Sequence, residues 1–174
     1  MKIYKFSNRS SLVNWSVVDD GVMGGYSKGK LKVNTKGNGV FSGEISLYNY
    51  GGFSSLRYYS KKTKISPNDT LVLRVNGDNK FYQIRIKHSQ RDRHVYVKKV
   101  FISDEWKNIE IPLSEFSPSF RGRSLRMGNF NYDSLTEIGI LIGNKIEENF
   151  ILIIDSISIK SNDIWYLVYF KLNE

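Results

Sequence analysis

The chain has 174 residues, of which 25% are charged and 14% aromatic, and a formal net charge of +9 at neutral pH. This length suits one domain that buries roughly 70% of its unfolded surface. The absence of cysteine excludes disulfides and a thiol nucleophile. No apolar run approaches the roughly 18 residues of a membrane-spanning segment, and the N-terminus lacks the apolar core of a signal peptide. We therefore expect a soluble, cytoplasmic protein without a transmembrane segment.

A glycine-rich segment follows Trp15 and has the sequence Asp20-Gly21-Val22-Met23-Gly24-Gly25-Tyr26-Ser27. Glycines at this density permit positive φ angles or a close approach of the backbone, and a strand cannot continue through them. A second segment begins similarly, with the sequence Gly51-Gly52-Phe53-Ser54-Ser55-Leu56-Arg57. Each segment is therefore either a sharp structural corner or a part of the chain that holds a partner.

Alternating apolar and polar residues predict β-strands along most of the chain. The predicted strands are Val40 to Tyr48, Phe53 to Tyr58, Leu71 to Val75, Phe81 to His88, Val95 to Ile102, Trp106 to Ile111, Ile138 to Ile142 and Phe150 to Ile159. Clusters of Gly, Pro, Asn and Asp separate these strands, and Gly77-Asp78 is interpreted as a tight hairpin turn. Eight or more short strands without a long helix indicate an all-β fold, namely a jelly-roll β-sandwich.

We expect residues 1–160 to form a single jelly-roll domain, since no repeat or linker interrupts them. Residues 161–174 form a C-terminal extension that contains the apolar segment Ile164 to Phe170. An added strand or packing arm is the favoured interpretation of this extension. An exposed patch for oligomerisation or membrane contact is the alternative.

The positive charge is concentrated in residues 21–103, which contain 16 Lys and Arg against 4 Asp and Glu. Residues 104–174 have a net charge of −4. This asymmetry suits a nucleic acid, an anionic lipid surface or an acidic protein surface. The simpler explanation is that a lysine-rich composition covers the solvent-exposed faces of the fold.

Strand alternation also predicts a polar sheet face. If Leu56 points into the core, then Ser55 and Arg57 point away from it, and the same rule places Arg74 and Arg85 on non-core sides. Because their strands are predicted hairpin neighbours, Arg74 and Arg85 are expected to share one face. Such a face can serve as a ligand floor, and an ordinary solvated outer face is the alternative.

The residues form no recognisable catalytic motif. His88 and His94 flank a predicted hairpin tip, and the neighbours in Asp19-Asp20 and in Glu147-Glu148 point to opposite faces of a strand. The sequence has no Gly-x-Ser-x-Gly elbow and no phosphate-binding loop. We expect no enzymatic activity, cofactor or metal site, although Asp20 or Asp155 could supply oxygen ligands to a structural Ca²⁺.

A longer set of motifs occurs in a characteristic order across residues 12–159. These motifs are Trp15, Asp20 to Ser27, Phe41-Ser42-Gly43, Gly51 to Arg57, Gly77-Asp78, Trp106, Ile111-Pro112, Phe120-Arg121-Gly122-Arg123 and Ile138-Gly139-Ile140-Leu141-Ile142. Together they resemble the complex I intermediate-associated protein 30 family. The resemblance implies a galactose-binding-domain-like jelly roll, and its mitochondrial members act as assembly factors for respiratory NADH:ubiquinone oxidoreductase. The chain departs from the family at Asn79, where a third small residue is expected, and has no recognisable transit sequence.

The favoured function is a non-catalytic module that binds a protein client, such as a subunit of a respiratory or redox complex. Contact is expected through the glycine-rich loop of residues 20–27 and an arginine-bearing sheet face. The predicted contact residues are Asp20, Met23, Gly24, Gly25, Ser27, Ser55, Arg57, Arg74, Asp78, Arg85, Arg121 and Arg123. In the structural alternative, the glycines only turn corners and Arg57 or Arg121 pairs with Asp20 or Asp78.

Two other functions remain open. A carbohydrate or another small ligand would use an aromatic platform such as Tyr58, Tyr82 or Trp106, but strand alternation turns Tyr58 and Tyr82 toward the core. Nucleic-acid binding through the basic residues 21–103 is the least favoured function, because no recognised nucleic-acid motif appears.

Overall fold

Alternate residues along each strand are apolar, so each sheet has one face that must be buried. A computed structural model of the chain describes residues 1–162 and contains two antiparallel sheets that pack against each other. Leu71, Leu73 and Val75 are fully buried between the sheets, whereas the intervening Val72 and Arg74 are half-buried. The prediction of an all-β jelly-roll sandwich is therefore confirmed.

The strands in chain order are β1 (Lys2–Lys5), β2 (Trp15–Asp19), β3 (Lys28–Val33), β4 (Gly39–Ile45), β5 (Ser54–Lys64), β6 (Thr70–Asn76), β7 (Lys80–Lys87), β8 (Val95–Ile102), β9 (Lys107–Pro112), β10 (Ser117–Phe120), β11 (Arg123–Ser124), β12 (Ser134–Ile142) and β13 (Glu148–Lys160). Three short 3-10 helices lie between them, at Asp20–Met23, Tyr48–Tyr50 and Leu113–Glu115. Every predicted strand corresponds to one of these strands, whereas β1, β2, β3 and the short β10 and β11 were not predicted.

The six-stranded sheet has the order β3-β4-β13-β6-β9, and β1 pairs with β13 outside this order. The seven-stranded sheet has the order β11-β10-β8-β7-β12-β5-β2. Strand β3 lies at an edge, where it pairs with β4, and its alternate residues Lys28, Lys30 and Lys32 are exposed. The glycine-rich loop connects β2, an edge of one sheet, to β3, an edge of the other.

The predicted hairpin between β6 and β7 is wrong, because these strands belong to different sheets. The connection is instead fixed to the end of β8, since the backbone N–H of Gly77 donates to Ser103 (2.8 Å) and that of Asn79 to Ile102 (3.0 Å). A Cβ at Gly77 would lie 2.8 Å from the carbonyl oxygen of Ile102, so this crossing has no room for a side chain. Asn79 adopts a φ of 60° there, a conformation that asparagine tolerates better than most residues.

The apolar part of the predicted C-terminal extension, Ile164 to Phe170, lies outside the described residues. Its role as a strand or packing arm therefore stays a prediction. Within residues 1–162, no helix has the length and hydropathy needed to cross a membrane.

Candidate functional site

Asp20 shapes the glycine-rich loop from inside the protein. Its carboxylate is fully buried and accepts hydrogen bonds from the hydroxyl of Ser27 (2.5 Å), the backbone N–H of Ser27 (3.0 Å), and the backbone N–H groups of Gly52 (2.5 Å) and Phe53 (3.3 Å). Burial acts to raise the pKa of Asp20, but these four hydrogen bonds outweigh it and hold the pKa below its usual value. Asp20 therefore ties the two glycine-rich segments together.

At two positions of this loop, the structure explains why the residue is glycine. Gly24 ends the 3-10 helix Asp20–Met23 with a φ of 84°, a left-handed conformation that favours glycine. Gly25 packs against the Asp20 carboxylate so closely that any Cβ would collide with it. Ser27 is 4% exposed and is occupied by its bonds to Asp20. The predicted contact residues Asp20, Gly25 and Ser27 thus shape the loop and do not form its outer surface.

The outer surface of the loop is apolar and exposed. Val22 is 75% exposed, Met23 63% and Tyr26 56%. The neighbouring turn contributes Tyr48, 66% exposed, and Tyr50, 99% exposed. We call these five side chains the loop patch. Tyr48 and Tyr50 were missed by sequence reasoning, although their position directly before Gly51-Gly52 is a signal that could have found them.

Two contacts join the parts of the loop patch. The rings of Tyr26 and Tyr48 meet edge to face with 5.3 Å between their centroids. The side-chain amide of Asn49 donates to the carbonyl oxygen of Gly24 at 3.3 Å. Asn49 and Tyr50 both have positive φ angles, 53° and 59°, which cost energy outside glycine. The patch is therefore a fixed surface that two connected turns present to solvent.

A second candidate surface lies on the outer face of the seven-stranded sheet. Gly139 of β12 pairs with Arg57 of β5 on one side and with Arg85 of β7 on the other. Directly paired residues share a face, so the two arginines flank a position that has no side chain. We call Arg57, Gly139 and Arg85, together with Ser55 and Gln83, the arginine face.

Several polar groups of the arginine face are buried without a partner among the described residues. The Ser55 hydroxyl belongs to a residue that is 1% exposed, and neither it nor Arg85 Nε has a hydrogen-bond partner there. Arg85 does donate from its terminal NH₂ group to Gln83 at 3.0 Å. Burial, reinforced by the positive charge of Arg57, lowers the pKa of Arg85 to about 10, while Glu137 acts in the opposite direction.

Exposed aromatic residues extend this face toward the glycine-rich loop. Phe81 and Phe101 are directly paired across β7 and β8 and are 47% and 49% exposed. Their rings meet at 68° with 5.4 Å between centroids, and Lys99 Nζ lies 4.7 Å from the centre of the Phe81 ring. Sequence reasoning missed both rings, although Phe81 shares its strand parity with Arg85. Of the three named platform candidates, Tyr58 and Tyr82 are 8% and 1% exposed and face the core as expected, whereas Trp106 is 38% exposed and lies beside Arg74 of the other sheet.

The remaining predicted arginines do not join this face. Arg74 lies on β6 of the other sheet, with its guanidinium carbon 5.5 Å from the centre of the Trp106 ring. The expectation that Arg74 and Arg85 share a face is therefore wrong. Arg121 and Arg123 lie on the β10–β11 hairpin, six strands from β2, or about 29 Å at ordinary strand spacing. The structure does not bring this hairpin together with the glycine-rich loop.

Asp78 is held by contacts within the fold. It accepts hydrogen bonds from the Tyr82 hydroxyl (2.8 Å) and the Ile151 backbone (2.9 Å), and its carboxylate lies 3.2 Å from Lys80 Nζ. These bonds connect the β6–β7 crossing to both sheets. Within residues 1–162, the suggested pairing of Asp78 or Asp20 with an arginine is not found, because other donors occupy both carboxylates.

A cleft of about 690 Å³ lies on the six-stranded sheet, away from the arginine face. Lys28, Lys30, Glu44 and Asp78 contribute to its lining. Its charges are of both signs, Lys28 and Lys30 are exposed, and Asp78 is already paired, so the lining does not indicate which ligand the cleft would select.

The described residues contain no cluster of three or more His, Asp or Glu side chains that could hold a metal ion. Asp19, next to Asp20 in the sequence, accepts hydrogen bonds from the Ser54 hydroxyl (2.5 Å) and the Gly29 backbone N–H (3.1 Å), so its carboxylate connects neighbouring segments of the fold. His88 stacks on Tyr132 at 4.2 Å, and its Nδ1 lies 3.1 Å from the carbonyl oxygen of Ser134. These groups stabilise the fold and do not form an acid–base pair.

The two packed antiparallel sheets form a jelly roll, a fold that carbohydrate-binding modules also have. In solved structures, the chain is similar to the family 11 carbohydrate-binding module of the Clostridium thermocellum cellulase Lic26A-Cel5E, with 16% identity and a TM-score of 0.65 over 90% of this chain and 92% of that one. The family 11 module from the same organism, in complex with a β-1,3-1,4-mixed-linked tetrasaccharide, has 17% identity and a TM-score of 0.62 over 89% and 94% of the chains. At these identities the likeness concerns the fold alone.

The family model described as complex I intermediate-associated protein 30 (CIA30) matches residues 4–154, and the chain belongs to this family. It is 27% identical to mitochondrial complex I intermediate-associated protein 30 of Mus musculus over 90% of its own length and 55% of that protein. The probable mitochondrial relative of Caenorhabditis briggsae is also 27% identical, over 90% of this chain and 53% of that protein. The chain thus spans about half the length of these curated relatives.

These relatives correct one prediction. The chain was expected to be cytoplasmic, but the curated relatives are named as mitochondrial proteins, including the one from Caenorhabditis elegans. Their names point to a mitochondrial location and overturn the cytoplasmic prediction. The resemblance to the family, drawn from the order of motifs such as Asp20 to Ser27 and Gly51 to Arg57, is confirmed.

Proposed function

We propose that this chain is a non-catalytic binding module that contacts a protein client, as an assembly factor for a respiratory complex does. The family and the relatives named after an intermediate of complex I support this proposal. The observation that carries it is the loop patch, whose apolar side chains stand in solvent on a rigidly held loop. Contiguous exposed apolar surface of this kind marks interaction sites in monomeric proteins.

The rigid attachment of the loop patch favours binding of a protein client. Asp20 fixes the loop by four hydrogen bonds, so little conformational freedom is lost when a client docks on it. Tyr26, Tyr48 and Tyr50 offer large amphipathic rings, which are enriched in protein interfaces. Met23 has a flexible thioether that adapts to an irregular partner surface. The arginine face is a second, positively charged surface on the seven-stranded sheet.

The test is crosslinked affinity capture from native cells, comparing wild type with a Met23→Ser, Tyr50→Ser double variant. The matched control is Val13→Ser with Met127→Ser, because these residues are 83% and 46% exposed and lie outside the loop patch. We expect wild type and control to recover the same partner, and the loop variant to recover about tenfold less of it. Thermal unfolding verifies that all variants fold.

Two outcomes contradict the proposal. Equal recovery by wild type, loop variant and control removes the loop patch as the contact surface. Failure of wild type to enrich any protein over a non-specific background overturns the function as a client-binding module.

Carbohydrate binding is a second candidate, because exposed aromatic surface at Phe81 and Phe101 lies beside the polar groups of the arginine face, although the two rings do not form one flat platform. Sugar recognition combines aromatic surface with planar hydrogen-bonding side chains. Affinity electrophoresis in gels containing mixed-linkage β-glucan tests this candidate directly. Retardation of wild type that a Phe81→Ser, Phe101→Ser double variant loses supports it, and equal mobility with and without glucan excludes it for that sugar.

A further inference from the structure

We propose that the arginine face is a carboxylate-binding site, in which Arg57 and Arg85 clamp an acidic side chain of a protein client over Gly139. This inference rests on the proposed function, because it names the chemistry of the client at a second surface. Arginine forks match a carboxylate by paired N–H···O bonds, which makes such contacts both strong and directional.

The sheet register builds the clamp. Arg57, Gly139 and Arg85 are consecutive neighbours across three strands, so the two arginine Cα atoms lie about 10 Å apart. A carboxylate that enters between two long guanidinium side chains at this spacing can be reached from both sides. The central residue has to be small for this, since a side chain at position 139 would fill the space between the arginines.

The glycine at position 139 has no conformational reason to be glycine. It lies within strand β12, outside the positive-φ region, and a Cβ there would lie 3.4 Å from Arg85 Cβ and 3.5 Å from the carbonyl oxygen of Leu56. These are ordinary van der Waals distances. The backbone therefore tolerates an alanine, and open space above the sheet is the structural property that glycine uniquely provides here.

Unpartnered donors line this space. Arg85 Nε and the Ser55 hydroxyl are buried without a hydrogen-bond partner among residues 1–162. In the same described part of the chain, no carboxylate lies within 4.0 Å of the Arg57 guanidinium. Leaving a buried donor unsatisfied is costly, and an incoming carboxylate would supply acceptors for the guanidinium groups of Arg57 and Arg85. It would also offset the repulsion from Arg57, which adds to burial in lowering the pKa of Arg85, whereas Glu137 acts in the opposite direction.

The neighbouring rings favour an acidic peptide over an acidic sugar. Stacking of a sugar needs a free, flat aromatic face. Lys99 already lies over the ring of Phe81, and Phe101 meets that ring at 68°, so the pair forms no flat platform. The lysine and the ring edges instead suit a second acidic or apolar side chain of an extended protein segment.

The experiment measures fluorescence anisotropy of a fluorescein-labelled oligoglutamate peptide with the full chain. We expect Arg57→Gln and Arg85→Gln each to weaken binding by about tenfold. Arg57→Lys should weaken it severalfold, because lysine keeps the charge and loses the fork. Arg74→Gln is the matched control, since it removes the same charge from the other sheet, and should change binding less than about twofold.

A Gly139→Val variant tests the clamp without a change of charge. Valine suits a strand and should fill the space between the arginines, so oligoglutamate binding should fall by about tenfold while far-UV circular dichroism stays unchanged. The inference is overturned if Gly139→Val binds as wild type does, or if Arg74→Gln loses as much as Arg57→Gln. The inference is also overturned if an oligoglutamine peptide binds as tightly as oligoglutamate. Tighter binding of oligogalacturonate, a sugar polymer that carries the same carboxylate groups, overturns it as well.

The inference and the proposed function fail in different ways. One outcome is that the Arg57→Gln, Arg85→Gln double variant loses oligoglutamate binding and still captures the client from cells as wild type does. In that case the client does not use this clamp, and the inference fails while the proposed function stands. If wild type captures no client while the peptide shows the expected variant pattern, the proposed function fails and the carboxylate chemistry of the face stands.

Discussion

Among single residues, Asp20 has the largest effect on the shape of the candidate surface. Its position in a glycine-rich run made it a predicted contact residue, but it is fully buried and faces the backbone of the second glycine-rich segment. A buried charge is tolerated when hydrogen bonds satisfy it, and here Ser27, Gly52 and Phe53 supply them. Asp20 therefore shapes the loop and presents no exposed group to a partner.

We predict that Asp20→Ala lowers the free energy of unfolding by about 2 to 4 kcal/mol, because several buried donors lose their acceptor. Chemical denaturation measures this loss. Asp104→Asn, a change of an exposed acidic residue, should lie within about 0.5 kcal/mol of wild type. An Asp20→Ala protein as stable as wild type would show that the carboxylate does not anchor the loop.

The pH dependence of stability gives a second readout of the same contact. The pKa of Asp20 is lower in the folded protein than its usual 3.8. Its contribution is therefore complete above that usual value and is lost as the pH falls through the lower, folded-state pKa. Asp20→Asn should flatten this acidic part of the stability profile. A profile that keeps its slope in Asp20→Asn contradicts the assignment.

At the scale of elements, the turn before the second glycine pair carries backbone strain at its most exposed residue. Tyr50 is 99% exposed with a φ of 59°, and Asn49 before it has a φ of 53°. An aromatic residue in the left-handed region costs energy that an exposed side chain does not recover by packing. Strain of this kind is typical of positions with a functional role, which agrees with the place of Tyr50 in the loop patch.

We predict that Tyr50→Gly raises the free energy of unfolding by about 0.5 to 1 kcal/mol and weakens client capture. Glycine relieves the strain and removes the ring at the same time. Tyr48→Gly, whose backbone lies outside the positive-φ region, should instead lower stability. Loss of stability in Tyr50→Gly, measured by thermal unfolding, would mean that the ring is packed and the strain argument is wrong.

Local patterns located eight of the thirteen strands in residues 1–162 and did not show which strands pair with one another. Period-two alternation located the strands around Leu71, Ile84 and Ile138, and it turned Tyr58 and Tyr82 inward. The connection after β6 has the glycine and aspartate of a hairpin turn, yet it crosses between sheets. Turn residues describe the local backbone and not which strand comes next in space.

The arginine face could be predicted only in part. Alternation placed Arg57 and Arg85 away from the core, and the structure agrees. Gly139 lies between the two arginines because β12 pairs with two strands that are far from it in the sequence. No local pattern encodes this pairing. The loop patch could also be predicted only in part, because Met23 was a predicted contact residue, whereas Tyr48 was assigned to the end of a strand and Tyr50 to no element.

For the whole molecule, the positive charge of residues 21–103 is divided between two sheets. Lys28 and Lys30 lie on the edge of the six-stranded sheet, whereas Arg57 and Arg85 lie on the seven-stranded sheet. A nucleic-acid groove needs its positive charge along one continuous path. The distribution therefore supports an acidic protein partner better than a nucleic acid.

We predict that a labelled mixed-sequence oligonucleotide binds weakly at low salt, and that its affinity falls about tenfold or more between about 50 and 200 mM salt. Arg57→Gln and Arg74→Gln should reduce this binding equally, because it depends on net charge alone. Electrophoretic mobility shift measures both effects. Binding that persists at about 200 mM salt, or that prefers one base sequence, would favour the nucleic-acid alternative.

The exposed lysines of β3 have a consequence for the behaviour of the protein in concentrated solution. An open edge strand can pair with the same strand of another copy and start aggregation. Lys28, Lys30 and Lys32 stand at alternate positions on this edge, so two copies that approach edge to edge bring like charges together. The exposed loop patch also favours self-association, so this repulsion lowers the chance that two copies aggregate.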